Sequence, residues 1–446
     1  MLITNGRILT FGDTHQLIEN GAVRIEDGRI SEVGPSNILE AAHPQDERLD
    51  ARGMVVMPGM IVAHTHFYGT FARGMYIPGP AMKNFPEILQ RLWWPLDRAL
   101  DEEGVRYSAL TPIIHAIRSG VTTLIDHHAS NHFIDGSLDV IAEVVEETGV
   151  RASLCYEVSD RDGQAVAAAG IRENVRFIKK AQKMSHRRIA ASFGLHAPLT
   201  LSDATLERCV AEAEAAGHQG FHIHACEGPT DQEHSLATYG IRTIDRLHQR
   251  GILGPHTLVG HAIDIDPWEM ALLRETETWI SHQPRSNMNN GVGVAQLPAM
   301  LRGGMKVVLG NDGFTNDVFE EMKVAYLLHK SARNDPRVLP ADQLLNIVIE
   351  NNAALARQFF GQTFGRLQAG AAADIILLDY DPPTPLSTDN FPWHIIFGFD
   401  GRNVDTTIVA GRVLMRHRQI PHLDEASIAA HSREVALATW KRFWQE

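Results

Sequence analysis

Between residues 58 and 360 the chain alternates short apolar runs with longer amphipathic stretches. The apolar runs read as strands at 60–66, 121–127, about 150–157, 189–196, 220–224, 257–261, 278–282 and 306–312. Stretches with a helical apolar period fall at 137–148, 203–216, 240–250 and 341–359. Strand–helix alternation over this length predicts a parallel sheet closed into a barrel. The flanks read differently. Residues 1–57 alternate apolar and polar groups, with Asp27-Gly28 as a hairpin signal between two β-type runs. β-type runs return at Ala373–Asp379 and Thr406–Leu414. The fold class expected is α/β: a (β/α)8 TIM-like barrel over 58–360, with a small discontinuous β-sheet domain built from 1–57 and 361–422. A helical tail, 423–446, closes the chain.

The barrel strands end in residues that carry chemistry. Strand one runs into His64-Thr65-His66. Residues two apart on a strand share a face, so both imidazoles reach one point, an arrangement suited to a borderline divalent metal such as zinc. A lone HxH pair is a weak signal. Three further runs strengthen it: Gly220-Phe221-His222-Ile223-His224 before Ala225-Cys226-Glu227, Thr257-Leu258-Val259-Gly260-His261, and Lys306-Val307-Val308-Leu309-Gly310-Asn311-Asp312. Polar residues at the C-terminal ends of several strands are what a barrel active site requires.

Composition narrows the class. The chain has 446 residues, 44% hydrophobic and 21% charged, ordinary for a globular protein. A net charge of −13 disfavours a nucleic-acid partner, which calls for a basic patch. No apolar run reaches the length of a membrane span, and Met1–Arg7 has neither a charged start nor an apolar core, so neither membrane insertion nor a secretory signal is expected. Cys155, Cys209 and Cys226 are far apart and odd in number, which gives no disulfide framework and leaves a reducing cytoplasm as the expected compartment.

With these runs in place, the chain resembles the amidohydrolase superfamily. The resemblance rests on the HxH with Pro58-Gly59-Met60 before it, the later His, His and Asp at strand ends, and Gly370–Leu377. Within the superfamily it is similar to the ATZ/TRZ branch of cytosine-, guanine- and thiomethyladenosine-type deaminases, through Leu195-His196-Ala197-Pro198, His224-Ala225-Cys226-Glu227, Ser286-Asn287-Met288 and Leu309–Gly313. Leu92–Leu100 and Asp126–Ser130 further resemble SsnA-type aminohydrolases.

The resemblance implies a metal held by His64, His66, His224 and Asp312, with Glu227 as general acid/base and His261 as a second catalytic group. Asp312 would also help orient the nucleophile. The cofactor implied is one Zn²⁺ per chain, with Fe²⁺ or Mn²⁺ as alternatives. A metal-bound hydroxide would then release ammonia from an N-heterocycle such as a purine, pterin, pyrimidine or triazine. His196 and His282 match substrate-contacting or supporting positions, and Arg73, in the loop 67–100, is a candidate for a polar substrate edge. His127 and His128 are left between pocket-lining and structural roles. Trp93 and Trp94 are expected to pack over the barrel mouth rather than to stack on substrate. Gly69 stands where several relatives place a ring-reading Gln, which is expected to leave room for a larger or differently decorated ring.

Two other readings stand beside this one. A silent binding protein would have lost a ligand or the acid/base, and every matched position here holds a competent residue. A binuclear amidase would carry a Lys at the end of strand four, whereas Lys179, Lys180 and Lys183 lie upstream on a predicted helix. A hydrolase of the same superfamily that displaces a non-amino group stays open. So do the substrate, the native metal and the oligomeric state, a homodimer included. The partner expected is a small heterocyclic substrate, with no nucleic acid and no membrane.

Overall fold

The protein's structure, a computed structural model, describes residues 1–12, 14–184 and 188–445. Glu446, the last residue of the expected tail, lies outside them. The first 58 residues and the segment 375–415 meet in one eight-stranded sheet. Its order is Arg412–Met415, Val404–Val409, Ile375–Leu378, Val55–Pro58, Leu2–Leu9, Leu17–Glu26 and Arg29–Pro35, with Arg48–Asp50 also paired to Leu2–Leu9. The two ends of the chain are joined where Val55–Pro58 runs antiparallel to Ile375–Leu378, from Ile375 opposite Pro58 to Leu378 opposite Val55. Ile3, Ile8, Val23, Val56, Ile375, Leu377 and Ile408 form a shared buried layer that drives this pairing. The Asp27-Gly28 hairpin closes with φ of 49° and 74°, the left-handed pair of a type I′ turn.

The sheet hands the chain directly to the barrel, an α/β TIM-type fold. Its strands are β1 (Met60–Thr65), β2 (Val121–Asp126), β3 (Arg151–Leu154), β4 (Ile189–Ala191, resuming at Gly194–Leu195), β5 (His222–Ala225), β6 (Leu258–His261), β7 (Trp279–His282) and β8 (Lys306–Leu309). Neighbours pair in parallel from β1 to the first part of β4, and from its second part to β8. β3 and β4 are shorter than the apolar runs suggest. Beyond Leu154 the chain leaves regular pairing and bridges singly, His128 to Tyr156 and Val158 to Leu195.

The barrel closes between β8 and β1. Asn311 N donates to His64 O at 2.9 Å and His66 N to Asp312 O at 3.1 Å. Gly310 permits this approach, because a Cβ there would lie 2.8 Å from His64 Cβ and 2.7 Å from Ser281 Oγ. Deeper in the seam Asn352 takes the place of ladder bonds. It accepts from Leu309 N at 2.9 Å and donates to Ile61 O at 2.8 Å and Leu309 O at 2.9 Å. The expected helix 341–359 reaches this point through a π-helical stretch, Asn346–Asn351, which ends at Asn352. The expected helix at 240–250 starts only at Thr243, because Gly240 (φ 72°) ends a preceding helix, Pro229–Tyr239.

The segment after β1 arches over the C-terminal mouth as a 3₁₀ turn (Phe67–Ala72) and a helical stretch from Phe85 to Arg98. The C-terminal helix, Glu425–Phe443, straps it down: Trp440 Nε1 donates to Phe71 O at 2.7 Å and Trp444 Nε1 to Tyr76 O at 3.1 Å. No helix among the described residues is long and apolar enough to cross a membrane.

Candidate metal centre

The strand ends deliver seven titratable side chains to one buried point. His64 and His66 lie on the same face at the end of β1, His224 ends β5, and His261 ends β6. Glu227 follows β5 and Asp312 follows β8. Glu157 comes in beyond β3. The backbone bends sharply to aim them. Cys226, His261 and Asp312 hold φ of 55°, 74° and 56°, a left-handed conformation that costs about 1–3 kcal/mol at a non-glycine residue and concentrates at functional sites.

His66 Nε2 lies 3.0 Å from His224 Nε2 and 2.9 Å from Asp312 Oδ1, and His64 Nε2 lies 3.5 Å from the same oxygen. One ligand atom each from His64, His224, His261 and Asp312 falls within a 4.8 Å sphere of mutual distances. The opposite ring nitrogens are all committed. His66 Nδ1 donates to His127 O at 2.6 Å and His224 Nδ1 to His196 O at 2.8 Å, while His64 Nδ1 is bonded to His222 Nε2 at 2.7 Å. The two carbonyl acceptors leave His66 and His224 with bare Nε2 lone pairs facing one another, which is how proteins orient metal-binding histidines. His64 Nε2 is buried and has no hydrogen-bond partner. Packed lone pairs without donors between them are costly unless a cation sits among them. Burial holds the His64 imidazole down to about 4, so it stays in the neutral form a metal requires. Burial works against the Asp312 anion, but the close His64 and His66 imidazoles outweigh it and keep its pKa well below the usual range. The residues fit a divalent metal.

Beside this cluster lies a carboxylate–imidazole pair. Glu227 Oε2 is 3.2 Å from His261 Nε2. Asn290 Nδ2 donates to Glu227 Oε1 at 3.2 Å, and His261 Nδ1 donates to Asn287 Oδ1 at 2.9 Å. Burial first, then the neighbouring Asp312 charge, pushes the Glu227 carboxyl well above its ordinary range. Ser286 Oγ donates to Asp312 Oδ2. The pocket above is lined by Tyr68, Trp93, Trp94, Glu157, Arg161 and His196 around the His66–His224–Asp312 floor.

Three expectations need correction. Arg73 is exposed and outside the pocket lining, because the 3₁₀ turn ends there and turns the chain outward. His282 is buried but also outside the lining. Its Nε2 meets His329 Nε2 at 3.0 Å on a helix packed behind β7. Gly69 leaves no room for a larger ring: a Cβ there would sit 3.6 Å from the Trp93 indole and 3.2 Å from Gly313 Cα, so the indole already fills that space. Trp93 and Trp94 pack over the mouth, as expected, and also form part of the pocket wall. His127 stacks on His222 at 4.3 Å between ring centroids and supports the cluster from below, and His128 is tied to Ser130 at 2.9 Å. Lys180 is drawn to Asp139, 2.9 Å away on a neighbouring helix. Sequence reading assigned no role to His222, Glu157, Ser286, Asn287 or Asn290. A signal existed for two of them: His222 repeats the H-x-H spacing of β1, and Glu157 is the carboxylate at the end of the strand run 150–157.

This geometry agrees with comparisons to known proteins. Residues 55–414 match the model of the amidohydrolase family, and residues 21–45 match an imidazolonepropionase-like composite domain of bacteria. The chain belongs to the amidohydrolase family. It is 33% identical over 440 residues to a 5'-deoxyadenosine deaminase of Methanosarcina acetivorans, covering 98% of this chain and 97% of that one. It is 32% identical to a 5-methylthioadenosine/S-adenosylhomocysteine deaminase of Desulforudis audaxviator, covering 93% and 94%. The crystal structure of an adenosine deaminase from Xanthomonas campestris with bound zinc superposes with a TM-score of 0.85 at 23% identity, covering 98% of both chains. The chain is thus a metal-dependent hydrolase of carbon–nitrogen bonds, of the deaminase type.

Proposed function

We propose that the protein is a zinc-dependent aminohydrolase that removes an exocyclic amino group, as ammonia, from a flat N-heterocycle of purine size. One observation carries this reading: the bare Nε2 atoms of His64, His66 and His224 face Asp312, with the Glu227–His261 pair, 3.2 Å apart, directly beside them. Three imidazoles and one carboxylate suit Zn²⁺. When bound there, such an ion supplies Lewis acidity that lowers the pKa of a water from 15.7 to about 7.

The chain's own residues do the rest. Glu227 holds a proton between its carboxyl and the reacting ring, taking it from water and giving it to the departing nitrogen. A raised affinity for protons suits that shuttle, because ammonia leaves only once protonated. His261, fixed through Nδ1 by Asn287, presents an Nε2 lone pair to the same space, where it can accept a hydrogen bond from the attacking water and orient it. Tyr68, Trp93 and Trp94 exclude water and give a flat ring apolar walls.

The relatives' names place 5'-deoxyadenosine and 5-methylthioadenosine in the test panel beside free aminopurines and aminopyrimidines. Metal-loaded protein is assayed for ammonia, and products by mass spectrometry. An amine-to-carbonyl mass change with stoichiometric ammonia is the expected result. Turnover without ammonia, by ring opening or loss of another group, overturns the reading.

A further inference from the structure

The helix Phe391–Gly398, far from the metal centre in sequence, reads Phe-Pro-Trp-His-Ile-Ile-Phe-Gly and is apolar nearly all the way round. A helix of that composition is a buried helix. This one is covered on one side only, and its polarity is inverted. The polar ring of His394 turns inward, onto the Tyr380 hydroxyl at 2.8 Å, beside buried Phe391, Ile395 and Ile396. Trp393 and Phe397, one turn apart on the same face, point outward at 46% and 57% exposure. Leu327, on the neighbouring helix Val318–Arg333, is 54% exposed. Tyr326 joins it to the group, with its ring 5.5 Å from that of Phe397.

At ~200 Å² for a whole large side chain, these exposures of Trp393, Phe397 and Leu327 amount to about 300 Å² of contiguous apolar surface. A patch of that size marks an interaction surface. Its two ends differ in charge. At the Trp393 end an open hollow is lined by Phe11, Leu345 and Phe391 and rimmed by Asp342 and Asp389. At the Phe397 end Lys330 Nζ sits 4.1 Å from the centre of the Tyr326 ring, and Lys323 lies one turn from Leu327 on the same helix.

We infer that this face is the interface of a homodimer, in which two copies of the helix Phe391–Gly398 pack antiparallel across a twofold axis. Such an axis sets Trp393 of each copy against Phe397 of the other, so every contact is made twice. It lays Leu327 of the second copy over the hollow. It also brings Lys323 and Lys330 of one copy toward Asp342 and Asp389 of the other, at both ends. A membrane or a peptide of one sign meets a like charge at one end of this face, whereas a second copy matches both. A stable interface buries ~800 Å² on each partner. The aromatic stripe supplies its centre, and the hollow and the exposed sides of the flanking helices supply the rest.

The test measures the mass of the full, metal-loaded chain in solution by sedimentation and light scattering at micromolar concentration. The wild type is expected at twice the chain mass. Trp393→Glu combined with Phe397→Glu is expected to raise the dimer dissociation constant by about 100-fold or more, the scale of losing buried aromatic anchors. Both positions lie on the surface of the single chain, so metal content and circular dichroism stay as in the wild type. Trp268→Glu is the control, because Trp268 is equally exposed on a different helix, Pro267–Glu275, and its loss leaves the dimer intact. Cysteine crosslinking reads the register. A mixture of Trp393→Cys and Phe397→Cys chains should form a covalent dimer on oxidation, and neither variant should do so alone. Cys155, Cys209 and Cys226 are buried and do not compete.

A wild type that sediments at the mass of one chain overturns the inference, and binding of anionic phospholipid vesicles by that monomer assigns the face to a membrane instead. A dimer that survives the double Glu substitution, or that dissociates as readily in Trp268→Glu, overturns it in favour of another surface. Crosslinking by either cysteine variant alone, with none gained in the mixture, overturns the antiparallel arrangement and the inference with it. If the double Glu variant loses its circular dichroism, the crosslinking result decides.

Discussion

Replacing Asn352 by Leu tests whether the seam between β8 and β1 holds the metal centre together. Asn352 is fully buried and makes three hydrogen bonds there, at 2.8–2.9 Å. Leu has a similar branched shape but is larger, so it leaves no cavity and adds some overpacking to the cost. The three bonds contribute about 1 kcal/mol each, and the variant also strands the Leu309 N–H and the facing carbonyls at about 1–3 kcal/mol per unsatisfied group. The overlap of these terms gives a destabilisation of about 3–6 kcal/mol. Just above the seam, His64 and His66 stand on one side and Asp312 on the other, so loosening it also separates ligands. Urea unfolding of the metal-loaded protein, with metal release followed by a chelating dye, reports both effects. Asn351→Ala is the control: Asn351 is half-buried and makes one bond, to Val307 O at 2.7 Å, with an expected cost of about 1 kcal/mol. If Asn352→Leu costs no more than Asn351→Ala and retains metal equally well, the clamp argument fails.

Three further outcomes follow from the same geometry. Glu227→Gln keeps the size and the contact to Asn290 but removes the proton carrier, so it should bind metal normally and lose about 10²–10⁴-fold in kcat. Near wild-type turnover moves the proton transfer elsewhere, to His261 first. Elemental analysis should give one metal per chain, with activity lost to a chelator and restored by Zn²⁺; a reproducible value near two, with both sites occupied, rules out the single-metal site. His222→Ala frees His64 Nδ1 and should weaken metal affinity about 10–100-fold, the usual cost of losing such a support. Unchanged affinity in competition with a chelator shows that β1 alone fixes His64.

The strands of the barrel and the residues at their ends are legible in the chain because a buried parallel strand is a short apolar run, and whatever polar group ends it stands out. His64, His66, His224, His261 and Asp312 are each found in this way, and the structure brings all five together. The Asp27-Gly28 hairpin is legible for a similar local reason, since few dipeptides accept two left-handed residues in succession. Other features have no local signature. The pairing of Val55–Pro58 with Ile375–Leu378 depends on apolar faces more than 300 residues apart finding one another. The rejection of Arg73 and His282 from the pocket depends on how a 3₁₀ turn ends and what packs behind β7. Trp93 fills the space beside Gly69 because a helical stretch folds back over β1. Sequence period decides which face of an element is buried; tertiary structure decides which atoms meet, because hydrogen-bond commitments belong to neighbours that are distant along the chain.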